Sequence, residues 1–154
     1  MRNWILVADV GRASLFAFSG DARRMQLVRR LENPRGRVRS HDLLSDMKGS
    51  CRKPSGRRSA MTSRTDAHWV EAQKFARRLS RILRAGRDDG AYDQLSLVAP
   101  PRFLGLLRSE LGPGERRRIG VTIPSDRTRL SSTSLLAKIR GALQRSRRQL
   151  EQLI

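Results

Sequence analysis

At 154 residues the chain is long enough to bury a hydrophobic core without disulfides or metals, so one domain is the default reading. Its 33 Lys+Arg against 14 Asp+Glu leave a formal charge of +19 and a pI near 11.9, a surface that repels itself unless anions lie against it. A single cysteine, Cys51, excludes an internal disulfide framework, and two histidines, His41 and His68, are too few ligands for a zinc site.

Trp4-Ile5-Leu6-Val7-Ala8 is an apolar run closed by Asp9 and Gly11; too short for three helical turns, it predicts a buried strand. Asp9 interrupts the run and no small-residue cleavage site follows, which argues against a signal peptide. Residues 13–19, with Leu15, Phe16 and Phe18, predict a second strand. Gly20-Asp21 signals a turn, and residues 25–31 predict a third strand paired with the second as a hairpin.

Residues 33–65 hold mostly Arg, Ser, Gly, Pro and Lys, a composition that buries too little surface to order itself. A structureless stretch of that length is usually functional or mobile. It is expected to be a flexible basic loop that folds onto an anionic partner, with Arg35, Arg37, Arg39, Lys53, Arg57, Arg58 and Arg64 as phosphate contacts.

Asp66 is expected to N-cap a long helix whose apolar face carries Ala72, Phe75, Ala76, Leu79, Ile82 and Leu83, with Gly86 and Gly90 bracketing its end. Beside that face, Lys74, Arg77, Arg78, Arg81 and Arg84 form a cationic stripe. Like charges at three- and four-residue steps repel by roughly a few tenths of a kcal/mol per pair, a cost that phosphate contacts would offset.

Residues 92–99 predict a buried strand ended by Pro100-Pro101, and residues 103–111 a short helix stopped by Gly112-Pro113. Residues 118–123 predict the next strand. Ser132 or Thr133 then caps a basic C-terminal helix, at about 133–152, with Leu135, Leu136, Ile139, Leu143 and Leu150 on one side. The expected fold class is α/β: a single domain with a mixed β-sheet of about five strands and helices on its faces.

Few residues suit catalysis. Cys51 sits in the basic segment and reads as an incidental thiol, because a catalytic constellation needs rigid support. Asp42, Asp46 and Asp66 stand among arginines that would repel a divalent cation. Phosphate-cradling motifs are absent from the sequence: there is no GxxxxGK[ST], and the glycines lack dinucleotide spacing. Asp9-Val10-Gly11-Arg12 reads as a strand-to-turn corner in which Asp9 pairs with Arg12 or caps the turn. No enzyme activity, cofactor or metal is expected. The aromatic residues fall mostly on apolar faces, so backbone and shape recognition of folded RNA is favoured over base stacking. A GC-rich coding bias accounts for arginine over lysine but not for the scarcity of acids. Nothing approaches the length of a membrane span, so a cytoplasmic protein without integral membrane contact is expected.

Two stretches carry a family resemblance. Trp4-Ile5-Leu6-Val7-Ala8-Asp9 followed by Arg12-Ala13-Ser14-Leu15-Phe16, and Leu97-Val98-Ala99-Pro100-Pro101-Arg102-Phe103-Leu104-Gly105-Leu106-Leu107, resemble the bacterial host attachment protein family, described as required for attachment to host cells. The resemblance spans roughly residues 3–140. That family is similar to the central domain of archaeal and eukaryotic peptide-chain release factors and of the ribosome-rescue factor Pelota, in which a Gly-Gly-Gln loop precedes a long helix. Here Gly56-Arg57-Arg58-Ser59-Ala60 occupies the comparable place, with Arg57 and Arg58 where the second glycine and the glutamine would be. The resemblance thus implies no peptidyl-tRNA hydrolysis, and a cationic loop directed at ribosomal RNA. Residues Lys74, Arg77, Arg78 and Arg81 complete the expected RNA-binding set. The rival expectation is a host-attachment or protein-interaction module that does not bind RNA directly; a hydrolase ranks last.

Overall fold

The computed structural model describes residues 1–19, 24–37, 57–125 and 132–153. Its strands are β1 (Arg2–Ala8), β2 (Arg12–Ser19), β3 (Gln26–Glu32), β4 (Gln94–Ala99) and β5 (Ile119–Pro124). The helices are α1 (Pro34–Arg37), α2 (Arg57–Asp88), α3 (Pro101–Glu110), α4 (Pro113–Arg116) and α5 (Ser132–Gln152). The five strands form one mixed sheet in the order β3-β2-β1-β4-β5. β1 pairs antiparallel with β2 and parallel with β4; β2–β3 is antiparallel and β4–β5 parallel.

The unbroken apolar run of β1 has its cause in this order, because a central strand is covered on both faces and cannot alternate with polar residues. Trp4, Leu6 and Ala8 enter one core with Leu15, Leu95, Leu97 and the helices α2 and α3, while Ile5 and Val7 enter a second with Phe16, Phe18, Val98 and α5. β3 lies at the edge, where Leu31 is its one buried residue and Leu27 and Val28 stay about half exposed. A register shift against Leu15/Phe16 skips Val28 in the β2–β3 ladder, the signature of a bulge at an edge.

Both parallel crossovers place their helices on the first face. Ala72, Phe75, Ala76, Leu79 and Leu83 of α2 are buried there at steps of three and four, and α3 adds Phe103, Leu104, Leu106 and Leu107. The other face is closed by Leu135 and Ile139 of α5, with Leu136 and Leu143 half-buried. Truncating Leu79, 1% exposed, to alanine would cost about 2–5 kcal/mol.

Several boundaries differ from the sequence reading. α2 begins at Arg57, so Asp66 lies inside the helix and is not its N-cap. No Pro or Gly falls between residues 57 and 85 to stop the helix earlier. Arg57 and Arg58 accordingly stand in the first turn of α2, not in a loop, and α1 makes a helical turn of Pro34–Arg37. The expected bracket holds, since α2 ends at Asp88 between Gly86 and Gly90; Gly86 has a packing reason as well, because any side chain there would collide with the Trp4 ring. The end is a Schellman motif at Gly90, φ +67°, with Ala91 N–H donating to Gly86 O (2.8 Å) and Gly90 N–H to Arg87 O (3.0 Å). α3 starts at Pro101, two residues earlier than expected, since proline fits the first helical position. Gly112-Pro113 does end α3, but Pro113 also opens the short α4.

Candidate nucleic-acid interface

α2 carries the densest run of expected phosphate contacts. At 100° per residue, Lys74, Arg77, Arg78, Arg81 and Arg84 fall within an arc of about 120°, opposite the arc that holds Ala72, Phe75, Ala76, Leu79 and Leu83. All five cations are exposed. Burial of the apolar arc against the sheet is what turns this stripe to solvent.

The stripe is partly neutralised by acids brought from elsewhere. Glu71, itself 9% exposed, takes Lys74 Nζ at 3.5 Å and Arg35 Nε of α1 at 3.7 Å on the same Oε1. Arg77 Nε lies 3.3 Å from Glu110 Oε2 at the end of α3. Arg78 Nη1 donates to the Glu32 carbonyl at 3.5 Å. Among the described residues, Arg81 and Arg84 have neither an ion pair nor a hydrogen bond through their side chains. The cations of these pairs are more than half exposed although Glu71 is buried, so a phosphate in solvent can compete for them.

Seven of the expected residues, Arg57, Arg58, Arg64, Lys74, Arg77, Arg78 and Arg81, belong to this one helix. Arg35 joins them through Glu71. Arg37 ends α1, and Arg39 and Lys53 lie outside the described residues. The side chains of Arg37, Arg57, Arg58 and Arg64 also lie outside what is described. So do His41, Asp42, Asp46 and Cys51. Among the described residues no group of three or more His, Cys, Asp or Glu could hold a metal ion. No helix among them is long and apolar enough to cross a membrane.

A second feature was read from the sequence only as a corner. The segment from Asp9 to Arg12, leading from β1 into β2, forms one wall of a cleft of about 480 Å³, and Pro100, Arg102 and Phe103 at the start of α3 form another. Asp9 caps the turn: its Oδ1 accepts from the Gly11 N–H (2.7 Å) and the Arg12 N–H (2.9 Å). Gly36 of α1 lies so close to the Val10 carbonyl that any Cβ would collide with it. Arg102 stacks over Trp69 of α2, with its guanidinium carbon 5.4 Å from the ring centroid. Of the seven aromatic residues, six are buried and Trp69 is 36% exposed. The signal was present in the sequence: the two stretches that carry the family resemblance supply opposite walls of this cleft.

At the far end of α2, electrostatics serve the fold. Burial and the Glu115 carboxylate push the Tyr92 phenol up to about 12. Arg2 donates from its backbone and side chain to Asp93 and holds that carboxyl below the usual range.

Residues 4–139 match the family model described as "Protein required for attachment to host cells". The chain belongs to this family. The matched span agrees to within one residue at each end with the roughly 3–140 over which the sequence resembles the family. No curated protein matches the chain. Among solved structures it is similar to the crystal structure of the archaeal translation termination factor aRF1, at 10% identity and a TM-score of 0.45, covering 98% of this chain and 41% of that one. The chain thus spans about two fifths of the length of that factor.

Proposed function

We propose that this member of the host attachment family is a non-catalytic RNA-binding protein that associates with ribosomes, and that the outward face of α2 meets the phosphate backbone. The observation that carries the reading is the stripe of Lys74, Arg77, Arg78, Arg81 and Arg84 opposite the buried arc of α2, on a chain of net charge +19. Each phosphate neutralised by such a cation releases condensed counterions, which drives binding and makes it steeply salt-dependent. With six of seven aromatic rings buried, backbone and shape recognition fits this surface better than serial base stacking. Ribosomal RNA is the most abundant folded polyphosphate a cell offers to such a surface.

Sedimentation of the tagged protein from a bacterial lysate tests the reading. Co-migration with ribosomal particles that high salt and RNase abolish is expected. Migration as a free small protein under every condition would sink it. The family description favours a second reading, an attachment or protein-interaction module whose charge only assists contact with acidic partners. Envelope association that survives RNase would move that reading to first place.

A further inference from the structure

We propose that the cleft between the β1–β2 corner and the start of α3 binds the phosphate group of a nucleotide, through the guanidinium groups of Arg12 and Arg102. The proposal deepens the RNA-binding reading and rests on it for the choice of nucleotide as the phosphate's carrier.

The cleft has fixed walls. Besides the two amide hydrogen bonds to Asp9 Oδ1, the Asp9 N–H donates to Arg12 O (2.9 Å), and Asn33 ties the corner to β3 through its N–H to Gly11 O (2.9 Å) and its Nδ2 to Val10 O (2.8 Å). The corner is therefore held by five hydrogen bonds, and the approach of Gly36 closes it from α1. Such support lets a side chain be positioned in advance of its ligand.

The cations in it are uncommitted. Arg2, Arg77 and Arg87 face carboxylates, and Arg108, Arg116 and Arg118 donate to protein oxygens. Among the described residues the side chains of Arg12 and Arg102 have neither kind of partner. Arg102 is steadied by the Trp69 ring, and stacking leaves the guanidinium's in-plane N–H donors free for the fork geometry that suits phosphate oxygens. Asp9 is the one acid among the eight lining residues, against two arginines, and its Oδ1 is turned onto the loop amides.

The start of α3 adds to these arginines. Pro100 and Pro101 carry no N–H, no side chain caps the helix, and the Leu104 N–H already donates to Pro100 O. The first-turn donors left are the amides of Arg102 and Phe103, both in the cleft lining. The cleft is open to solvent, and its volume of about 480 Å³ exceeds what inorganic phosphate alone would fill. The cleft is also continuous with the cationic stripe: Gly36 lines it, and the adjacent Arg35 shares Glu71 with Lys74.

Amide-resolved NMR titration of the full chain tests the assignment, with adenosine 5′-monophosphate, adenosine, and a single-stranded ten-nucleotide RNA lacking a terminal phosphate as probes. The Gly11, Arg12, Arg102 and Phe103 amides are expected to shift with the monophosphate at millimolar concentration or below, and not with adenosine. Arg12→Gln/Arg102→Gln is expected to weaken the monophosphate by about tenfold or more, as for loss of a charge-assisted hydrogen bond. Shifts of the same amides by the RNA would identify a backbone phosphate as the natural occupant; silence there with the RNA would identify a free nucleotide. Equal response to adenosine and its monophosphate, or wild-type affinity in the double variant, would overturn the cleft assignment even if RNA still bound through α2. Conversely, a chain that binds no RNA yet shows the monophosphate response would lose the RNA reading and keep the cleft.

Discussion

Arg87 Nη1 of α2 lies 2.8 Å from Oε1 of Glu115, a carboxylate with no exposure to solvent, while Arg87 keeps a quarter of its side chain exposed. The pair locks α4 onto α2, and its two ends are not equivalent. Removing the cation strands a buried carboxylate, at a cost to Glu115 of about 3 kcal/mol or more. Glu115→Gln keeps the shape and leaves a cation that can still face water and Asp88. Thermal unfolding followed by circular dichroism is expected to rank wild type above Glu115→Gln and Glu115→Gln above Arg87→Ala, with the last roughly 6–12 °C below wild type. The reverse order would show that the pair does not hold α4 in place.

Gly86 sits inside α2, where replacing glycine by alanine ordinarily gains about 1 kcal/mol of helix propensity. Here the added methyl would collide with the Trp4 ring, which is itself stacked on Tyr92 at 4.9 Å between centroids. Overpacking of this kind costs about 1–3 kcal/mol, so Gly86→Ala is expected to destabilise the protein despite the propensity gain. Urea denaturation reads the sign directly. A stabilised variant would mean that the Trp4 ring yields freely.

Tyr92 is the one tyrosine of the chain, so its tyrosinate absorbance reports a single group. Its hydroxyl donates to Leu83 O at 2.8 Å, and burial first, then the Glu115 charge, raise its folded pKa from 10.0 to about 12. A raised pKa means that the unfolded chain loses its proton first. The contribution to stability is therefore complete below pH 10 and is lost as pH climbs from 10 to 12. Ultraviolet titration is expected to show a midpoint near 12 in the folded protein and near 10 in denaturant. Tyr92→Phe would remove this alkaline loss. A folded midpoint near 10 would contradict the burial argument.

The sheet was legible because its strands are written as compact apolar runs between turn residues. β1 and β4 read as continuous apolar runs since both of their faces are covered, and the α2 core face followed from steps of three and four. What sequence reasoning missed were effects of tertiary contact. Gly86 reads as part of the bracket around the end of α2, but its close approach to the Trp4 ring is invisible in the sequence. Pro113 looks like a stop, yet it opens a turn whose Glu115 finds Arg87 across 28 positions of sequence. The cationic stripe was visible as a pattern, but its partial neutralisation by Glu110 was not, because Glu110 approaches only when α3 folds back on α2. Arg12 and Arg102 lie 90 residues apart in sequence and come to line one cleft only because β1 and β4 run side by side.

That partial neutralisation separates the cations of α2 into two groups with different expected effects on RNA affinity. Arg78, Arg81 and Arg84 face no carboxylate among the described residues, so converting all three to glutamine would remove the three proposed phosphate contacts at little cost to the fold. The slope of log K against log salt is expected to fall by about 2–3, with affinity lost evenly across RNA sequences. Arg77 differs, because Glu110, 3.3 Å away, would compete with the proposed phosphate for it. Glu110→Gln leaves the cation in place and removes its competitor, so this variant is expected to bind RNA more tightly than wild type at low salt, with the advantage shrinking as salt screens both interactions. Fluorescence anisotropy with one labelled RNA at several salt concentrations measures both variants. Unchanged slope in the triple variant together with unchanged affinity in Glu110→Gln would remove the outward face of α2 from the interface.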